Sequence, residues 1–533
     1  MSNQEKGGRS RQYFVSKDEE VLASLGYKQE LKRDFSWGEL LGLSFSIIGV
    51  VQSIAAVLIY SLPNGGAVAM VWGWVACSVF LMTIAFSMAE PASAAPTTGG
   101  LYYWTFRFSS SEYQKILSWI VGYSNSIGYI AGTAGSEYAT SLQIFAAVTI
   151  GSENTFIPTT SQIYGLFVAL IAFHALLSSL ATKFVARIQW LYLTLNILVF
   201  LVLLIAMPIV TPPEFQNSAV YVFGNFENLT FWPSGFAFLL SFLAPAWTVG
   251  GLDSSVHISE EARNASVAVP RTIIMSTALG LVTQFMIAFN VVVAFNMGTD
   301  TATILSNPIG QPMATIIFNS LGQNGTLAVW SFIIVTMNMT SMNILIAASR
   351  QMFAFSRDGA LPFSRFLYKI NDTTGTPVVC VFFCAFMAML LGLLSFAGPV
   401  AVGAVFTMGV ICQYIAYSIP ISARHLGGQN FKPGPFSLGR LSAPVSFTAV
   451  AFMALMIVIL IFPANTDPEA ETMNYAVVVV GCILLLSVIY YFLPIYGGRH
   501  WFTGPVRTID ADLDSVSVDE VVVGSEKGDV QLN

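Results

Sequence analysis

The chain has 533 residues, 55% of them hydrophobic and only 10% charged. Soluble globular proteins carry about 25% charged residues, and 23 basic plus 29 acidic side chains cannot coat a soluble particle of this length. The composition excludes a cytosolic enzyme, a nucleic-acid binder and a disordered scaffold, and points to a polytopic protein solvated by the lipid bilayer.

Residues 1–34 form a polar tail of mixed charge, and no cleavable signal peptide is expected, so the first helix targets and anchors the chain. A spanning helix needs about 20 mostly apolar residues. The apolar runs predict twelve, at 38–60, 66–89, 116–149, 162–182, 186–209, 233–257, 271–297, 326–350, 378–397, 400–421, 443–463 and 474–496. The third is long enough to tilt steeply, and only Gly398 and Pro399 separate the ninth from the tenth. The expectation is an all-α transporter-sized domain over 35–497 with a second polar tail at 498–533. The cysteines, Cys77, Cys380, Cys384, Cys412 and Cys482, all sit in apolar runs, which argues for packing rather than disulfides or zinc.

Basic residues collect in cytoplasmic segments. With the N-terminus inside, all 23 Lys and Arg fall on inner segments, while the outer loops carry acids such as Glu153, Glu214, Glu227, Asp300 and Asp467. An error of one helix would scatter these charges, so both ends are placed in the cytoplasm. The sequons at Asn228 and Asn324 then fall in outer loops, the second in the 298–325 loop, and are candidate glycosylation sites. Those at Asn264, Asn338 and Asn371 fall on the inner side or in a helix.

Two helices are interrupted. The first places Ser46, Gly49, Gln52 and Ser53 near mid-membrane, and the sixth reads Ala244-Pro245-Ala246-Trp247-Thr-Val-Gly250-Gly251-Leu-Asp253. Proline removes a donor, and adjacent glycines favour unwinding. Irregular backbone at membrane depth is tolerated only around a cavity. Breaks at matching places in two halves are the sequence mark of a transporter site, where half-helix N-termini hold a carboxylate. The competing reading is simple kinking.

Four segments carry a resemblance: Phe45–Ala56, Met88–Trp104, Trp247–Glu261 continuing to Pro270, and Ser349–Pro362. They are similar to the fungal amino acid/choline group of the amino acid–polyamine–organocation superfamily, which includes GABA and choline permeases. The resemblance implies a LeuT-type fold, with repeats at about 38–209 and 233–421 in inverted orientation and two peripheral helices over 443–496. It implies transport of a small amine or amino acid, often driven by protons, with no cofactor. The chain departs from bacterial and animal relatives in its first break, reading Ile48-Gly49-Val50-Val51-Gln52 instead of Gly-Ser/Thr-Gly. Their carboxylate cradle is therefore not carried over.

The substrate candidates are Ser46, Gly49, Gln52, Ser53, Ala246, Trp247, Gly250, Glu137 and Asn338. Asp253 reads either as an N-cap of the resuming helix or as a proton site or amine counter-ion. Glu137, flanked by Gly135 and Ser136, is a second intramembrane acid for substrate or proton, or lines a wet vestibule. Trp247 offers a π-face to an ammonium or is a bulky core residue. Asn125, Tyr129, Ser341 and Asn343 add polarity but also suit helix bridging. Glu260 and Glu261, beside Arg263, read as an inner gate or ion-pair network. The four histidines show no cluster, and no nucleotide loop, metal spacing or triad is present. A secondary active transporter is the first reading, and plasma membrane is favoured over an internal membrane. An exporter of a specialised amine-containing metabolite, or a receptor that binds without transport, is the alternative, although short tails leave little room for signalling.

Overall fold

Apolar runs of this length become helices because only a helix satisfies every backbone N–H and C=O within one segment. The computed structural model describes residues 16–509 except 181, 279–280, 464–465, 467–468 and 470–472. Lys6, Arg9, Arg11, Lys527, Asp467, Glu471 and most of the predicted 498–533 tail lie outside the described residues.

Among the described residues, eight helices are long and apolar enough to cross a membrane, and three shorter apolar helices accompany them. In chain order the principal helices are α1 (Lys17–Ser24), α2 (Trp37–Ile48), α3 (Val51–Ser61), α4 (Trp74–Ala94), α5 (Gly100–Phe108) and α6 (Gln114–Gly151). Next come α7 (Thr160–Leu180), α8 (Thr182–Val210), α9 (Ser234–Leu240), α10 (Leu243–Thr248), α11 (Ser254–His257), α12 (Ala265–Ile273) and α13 (Leu281–Phe295). The chain continues through α14 (Pro312–Arg357), α15 (Val378–Gly392), α16 (Pro399–Leu426), α17 (Ser442–Ile461) and α18 (Ala476–Phe492). Every predicted apolar run is helical along most of its length. Helix α5 was not foreseen, because its Leu-Tyr-Tyr-Trp-Thr-Phe run is too short to read as a span.

Two features depart from expectation. The 298–325 segment is not a plain loop: Thr301–Ser306 is helical, and α14 begins at Pro312, whose fixed φ suits a first helical turn. Asn324 therefore stands exposed within α14, just past Gly322 (φ 65°), which kinks that helix. Asn228 belongs to a two-residue ladder, Asn64–Gly65 paired antiparallel with Glu227–Asn228. Its side chain closes an Asx turn, with Oδ1 accepting from the Thr230 N–H and Oγ1.

Helix α6 is the central post and packs extensively on α14 and α16. The broken helices run beside one another, α3 against α10 and α2 against α11, so their interruptions meet at one level. Cys77, Cys380, Cys384 and Cys412 are buried free thiols, and Cys482 is exposed.

Candidate functional site

At the first break, α2 ends at Gly49 with φ 57° and ψ 156°, a region essentially open only to glycine. A Cβ there would stand 2.2 Å from Gln52 Nε2. No side chain caps α3, so its first N–H groups lack partners from its own helix or from a capping residue. The second break spans Val249–Asp253 between α10 and α11, with Gly251 at φ 71°. The Gly251 N–H donates to Gln413 Oε1 at 3.3 Å, so α16 supplies an acceptor to the unwound backbone.

Between the breaks lies a small cavity of about 30 Å³, enough for about two waters. Its walls are Ile47 from α2, Gly128, Tyr129 and Gly132 from α6, Trp247, Gly250 and Gly251 from the second break, Ile344 from α14, and Gly409, Val410 and Gln413 from α16. No charged side chain lines it. A second cavity is walled in part by Tyr138, Ser395 and Phe406, and the Phe406 ring packs on Trp247 at a centroid distance of 4.9 Å.

Of the residues singled out from the sequence, Trp247 and Gly250 line the central cavity, and Gly49 shapes the break beside it. Ser46 and Ser53 flank that break with buried hydroxyls that have no hydrogen-bond partner among the described residues. Gln52 is used in packing: its Nε2 donates to Asn196 Oδ1 (2.6 Å) and Thr340 Oγ1 (3.3 Å). Ala246 is buried behind Trp247. Asn338 turns away, donating to the Ile334 carbonyl one turn back at 2.8 Å. Glu137 is buried in α6 and pairs with His174 of α7 at 2.7 Å, outside the cavity lining.

Asp253 occupies the N-cap position of α11, yet its side chain makes no capping hydrogen bond. Its carboxylate instead accepts from Tyr129 and Tyr417 hydroxyls (2.8 and 2.7 Å) on Oδ1 and from Asn125 Nδ2 (3.0 Å) on Oδ2. His257 Nε2 lies 2.8 Å from Oδ2. The whole group is buried. Sequence reasoning passed over His257 and Tyr417. The i, i+4 spacing of Asp253 and His257 was available as a signal, whereas nothing local announces Tyr417 or the His174 partner of Glu137. Gln413 and the Gly128–Gly132–Gly409 face were also missed, though two glycines four apart in α6 mark a close approach.

Past the second break, Glu260 and Glu261 do form ion pairs, but not with Arg263. Glu260 binds Arg357 (2.9 Å) and Glu261 binds Arg350 (2.8 Å), both on α14, while Arg263 Nε donates to the Arg33 carbonyl. Arg350 and Arg357 stand two turns apart on one face of α14, each within reach of one of the adjacent glutamates. Tyr27 stacks under the Arg357 guanidinium at 4.0 Å and donates to Asp358 Oδ2 at 3.1 Å. Tyr102 and the Val506 N–H also donate to Asp358. Burial pushes the Asp358 carboxyl above the ordinary value, while Arg357 and these hydrogen bonds pull it down. Burial, then the Asp358 charge, pushes the Tyr27 phenol well up. Glu90, in the second resemblance segment, is bound by Arg424 and by Ser442 Oγ, the latter at 2.7 Å.

Membrane-length helices packed around two helices broken at one level, with a buried cavity between the breaks, define an integral membrane carrier. Comparison with known proteins supplies the family. The amino acid permease family model matches residues 35–484. The chain is 36% identical to the GABA-specific permease of Saccharomyces cerevisiae, over 93% of this chain and 87% of that protein. It is 35% identical to amino-acid permease 2 of Neurospora crassa, over 92% of this chain and 89% of that protein. An uncharacterized amino-acid permease of Schizosaccharomyces pombe is 35% identical over 97% of this chain and 92% of its own length. The chain belongs to the amino acid permease family and is a membrane transporter, not an enzyme.

Proposed function

We propose that this permease is a proton-coupled secondary transporter of a small amine or amino acid, built on twelve spans with both termini in the cytoplasm. Its two five-helix repeats are inverted, of the LeuT type, and it works in the plasma membrane. The observation that carries the reading is the cavity between two helix breaks held at one level. At the first break the uncapped start of α3 offers N–H groups and a positive dipole end to a carboxylate. Ser46 and Ser53 supply hydroxyls without other partners among the described residues. Trp247 offers its face to an ammonium.

The lining favours a proton role for Asp253 over that of an amine counter-ion. Tyr129 lines the cavity and stands between it and the carboxylate, which the substrate would not touch. A cavity of about 30 Å³ is too small for an amino acid, so loading requires its walls, Trp247 among them, to move apart.

The test is uptake in cells lacking their own permeases, with GABA, choline, polyamines and the common amino acids as a competing panel. Accumulation of a panel member against its gradient, stimulated by external acid, is the expected result. Saturable binding without accumulation would make the chain a receptor, and accumulation indifferent to the proton gradient would remove the coupling.

A further inference from the structure

The hydrogen bonds around Asp253 fix where a proton can reside. His257 Nδ1 lies 2.8 Å from the Thr98 carbonyl oxygen, an atom that only accepts, so Nδ1 carries hydrogen. The remaining nitrogen, Nε2, is 2.8 Å from Asp253 Oδ2 and 2.9 Å from Asn125 Nδ2. Tyr129 and Tyr417 both donate to the other oxygen, Oδ1, and so favour a carboxylate. One exchangeable position is left, on Nε2. We infer that His257, pinned by the Thr98 carbonyl and paired with Asp253, is the seat of the coupled proton. The inference rests on the proton-coupled reading above.

The two charge states are both accommodated. In the loaded state Nε2–H donates to Asp253 Oδ2, giving an imidazolium–carboxylate pair with no net charge. When the proton leaves from Nε2, the imidazole remains neutral with Nδ1–H in place, and the Asn125 amide donates to the freed lone pair. The Asn125 amide nitrogen has two hydrogens and is within reach of both groups. The unloaded pair carries one buried negative charge, which low-dielectric surroundings make costly. Two contacts tie this difference to the rest of the transporter. Tyr129 joins the carboxylate to the cavity wall. Thr98, which accepts from His257, donates its own N–H to Glu260 Oε1 at 3.0 Å, and Glu260 holds Arg357.

The groups facing the pair are therefore Asn125 and Tyr129 from α6, Tyr417 from α16 and Thr98 from the α4–α5 connection. Helix α2 contributes Ser44, whose hydroxyl meets Ser254 at 3.4 Å. The cations of α14 that approach this region, Arg350 and Arg357, are engaged by Glu261 and Glu260.

The experiment uses the full chain in proteoliposomes, with a radiolabelled protein hydrolysate, GABA and choline as probes. His257→Asn keeps a donor for Thr98 but has no Nε2. Wild type is expected to accumulate a probe on an acid-outside gradient. His257→Asn should lose at least tenfold of that accumulation and its pH dependence, yet retain exchange of labelled for unlabelled probe. Accumulation by His257→Asn with the wild-type pH profile would overturn the inference while leaving the proposed function intact. Absence of gradient-driven accumulation in wild type would instead count against the proposed function. In that case nitrogen NMR of the four histidines, assigned by single substitutions, decides the matter independently of transport. Retention of Nδ1–H on His257 while Nε2 alone titrates supports the assignment, and loss of hydrogen from Nδ1 overturns it.

Discussion

Gly49 shows how one residue sets the site. Its φ of 57° and ψ of 156° exclude other residues at a cost of about 1–3 kcal/mol, and an added Cβ would meet Gln52 Nε2 and Ser53 Oγ. Gln52 cannot yield freely because it is bonded to Asn196 and Thr340. Gly49→Ala should therefore lower the melting temperature of the purified protein and impair uptake together. Gly165→Ala, inside α7 and meeting nothing within 4 Å, should lower neither. Equal behaviour of the two variants would remove the Gly49 backbone from the site. At the same scale, the carboxylate of Asp253 was open to two readings from the sequence. In the structure that side chain accepts from Tyr129, Tyr417 and Asn125 and makes no capping hydrogen bond to α11.

Among the elements, α12 begins at Asn264 in a left-handed conformation and receives no cap from its own residues. The cap comes from α1: Asp18 accepts from the N–H groups of Asn264 (2.7 Å) and Ala265 (3.0 Å). Helix α1 is itself started by a capping box between Ser16 and Glu19. Loss of an N-cap costs about 1 kcal/mol, so Asp18→Ala should lower stability by about that amount, read as a shift in thermal melting. The exposed neighbour Glu20→Ala is the control, and a shift as large in the control would show that charge, not capping, is responsible. The same connection reaches further, because Phe35 pairs backbone to backbone with Glu261 and Arg263. The segment before α2 is thereby strapped across the C-terminal end of the second broken helix, next to the Glu260–Arg357 and Glu261–Arg350 pairs. Long-range contacts of this kind leave no periodic trace in sequence.

For the whole molecule, the one-sided distribution of Lys and Arg makes a definite prediction about sides. A tag inserted at 307–311, between the short helix Thr301–Ser306 and α14, should be reached by antibody from outside intact cells. A tag at either terminus should be reached only after permeabilisation. Terminal tags accessible in intact cells would overturn the topology. The buried Asp358 cluster supplies a second prediction. An acid such as Asp358, which holds its proton more tightly folded than unfolded, makes the fold lose stability as pH rises from the ordinary carboxylate value to the raised one. Stability contributed by its protonated form is fully present below that window and lost above it. Asp358→Asn cannot ionise, so melting temperatures measured upward from about pH 4 should fall less steeply than in wild type. Identical slopes would assign the dependence to other groups.

The helical runs, the charge bias, the two breaks and the family segments were legible in the chain alone, because each is a local pattern. Twenty apolar residues must satisfy their own backbone in lipid, and Gly49, Pro245, Gly250 and Gly251 interrupt helices wherever they fall. Even the Asp253–His257 spacing is a helical repeat that sequence displays. Tertiary structure alone decided which partners the polar residues take. Glu137 went to His174, Asp253 to Tyr129 and Tyr417, Glu260 to Arg357, and Gln413 to the unwound backbone at Gly251. Most of those partners lie dozens to hundreds of residues away. A buried polar group must find a hydrogen bond, but which one it finds depends on how the helices pack, and that is a property of the folded chain.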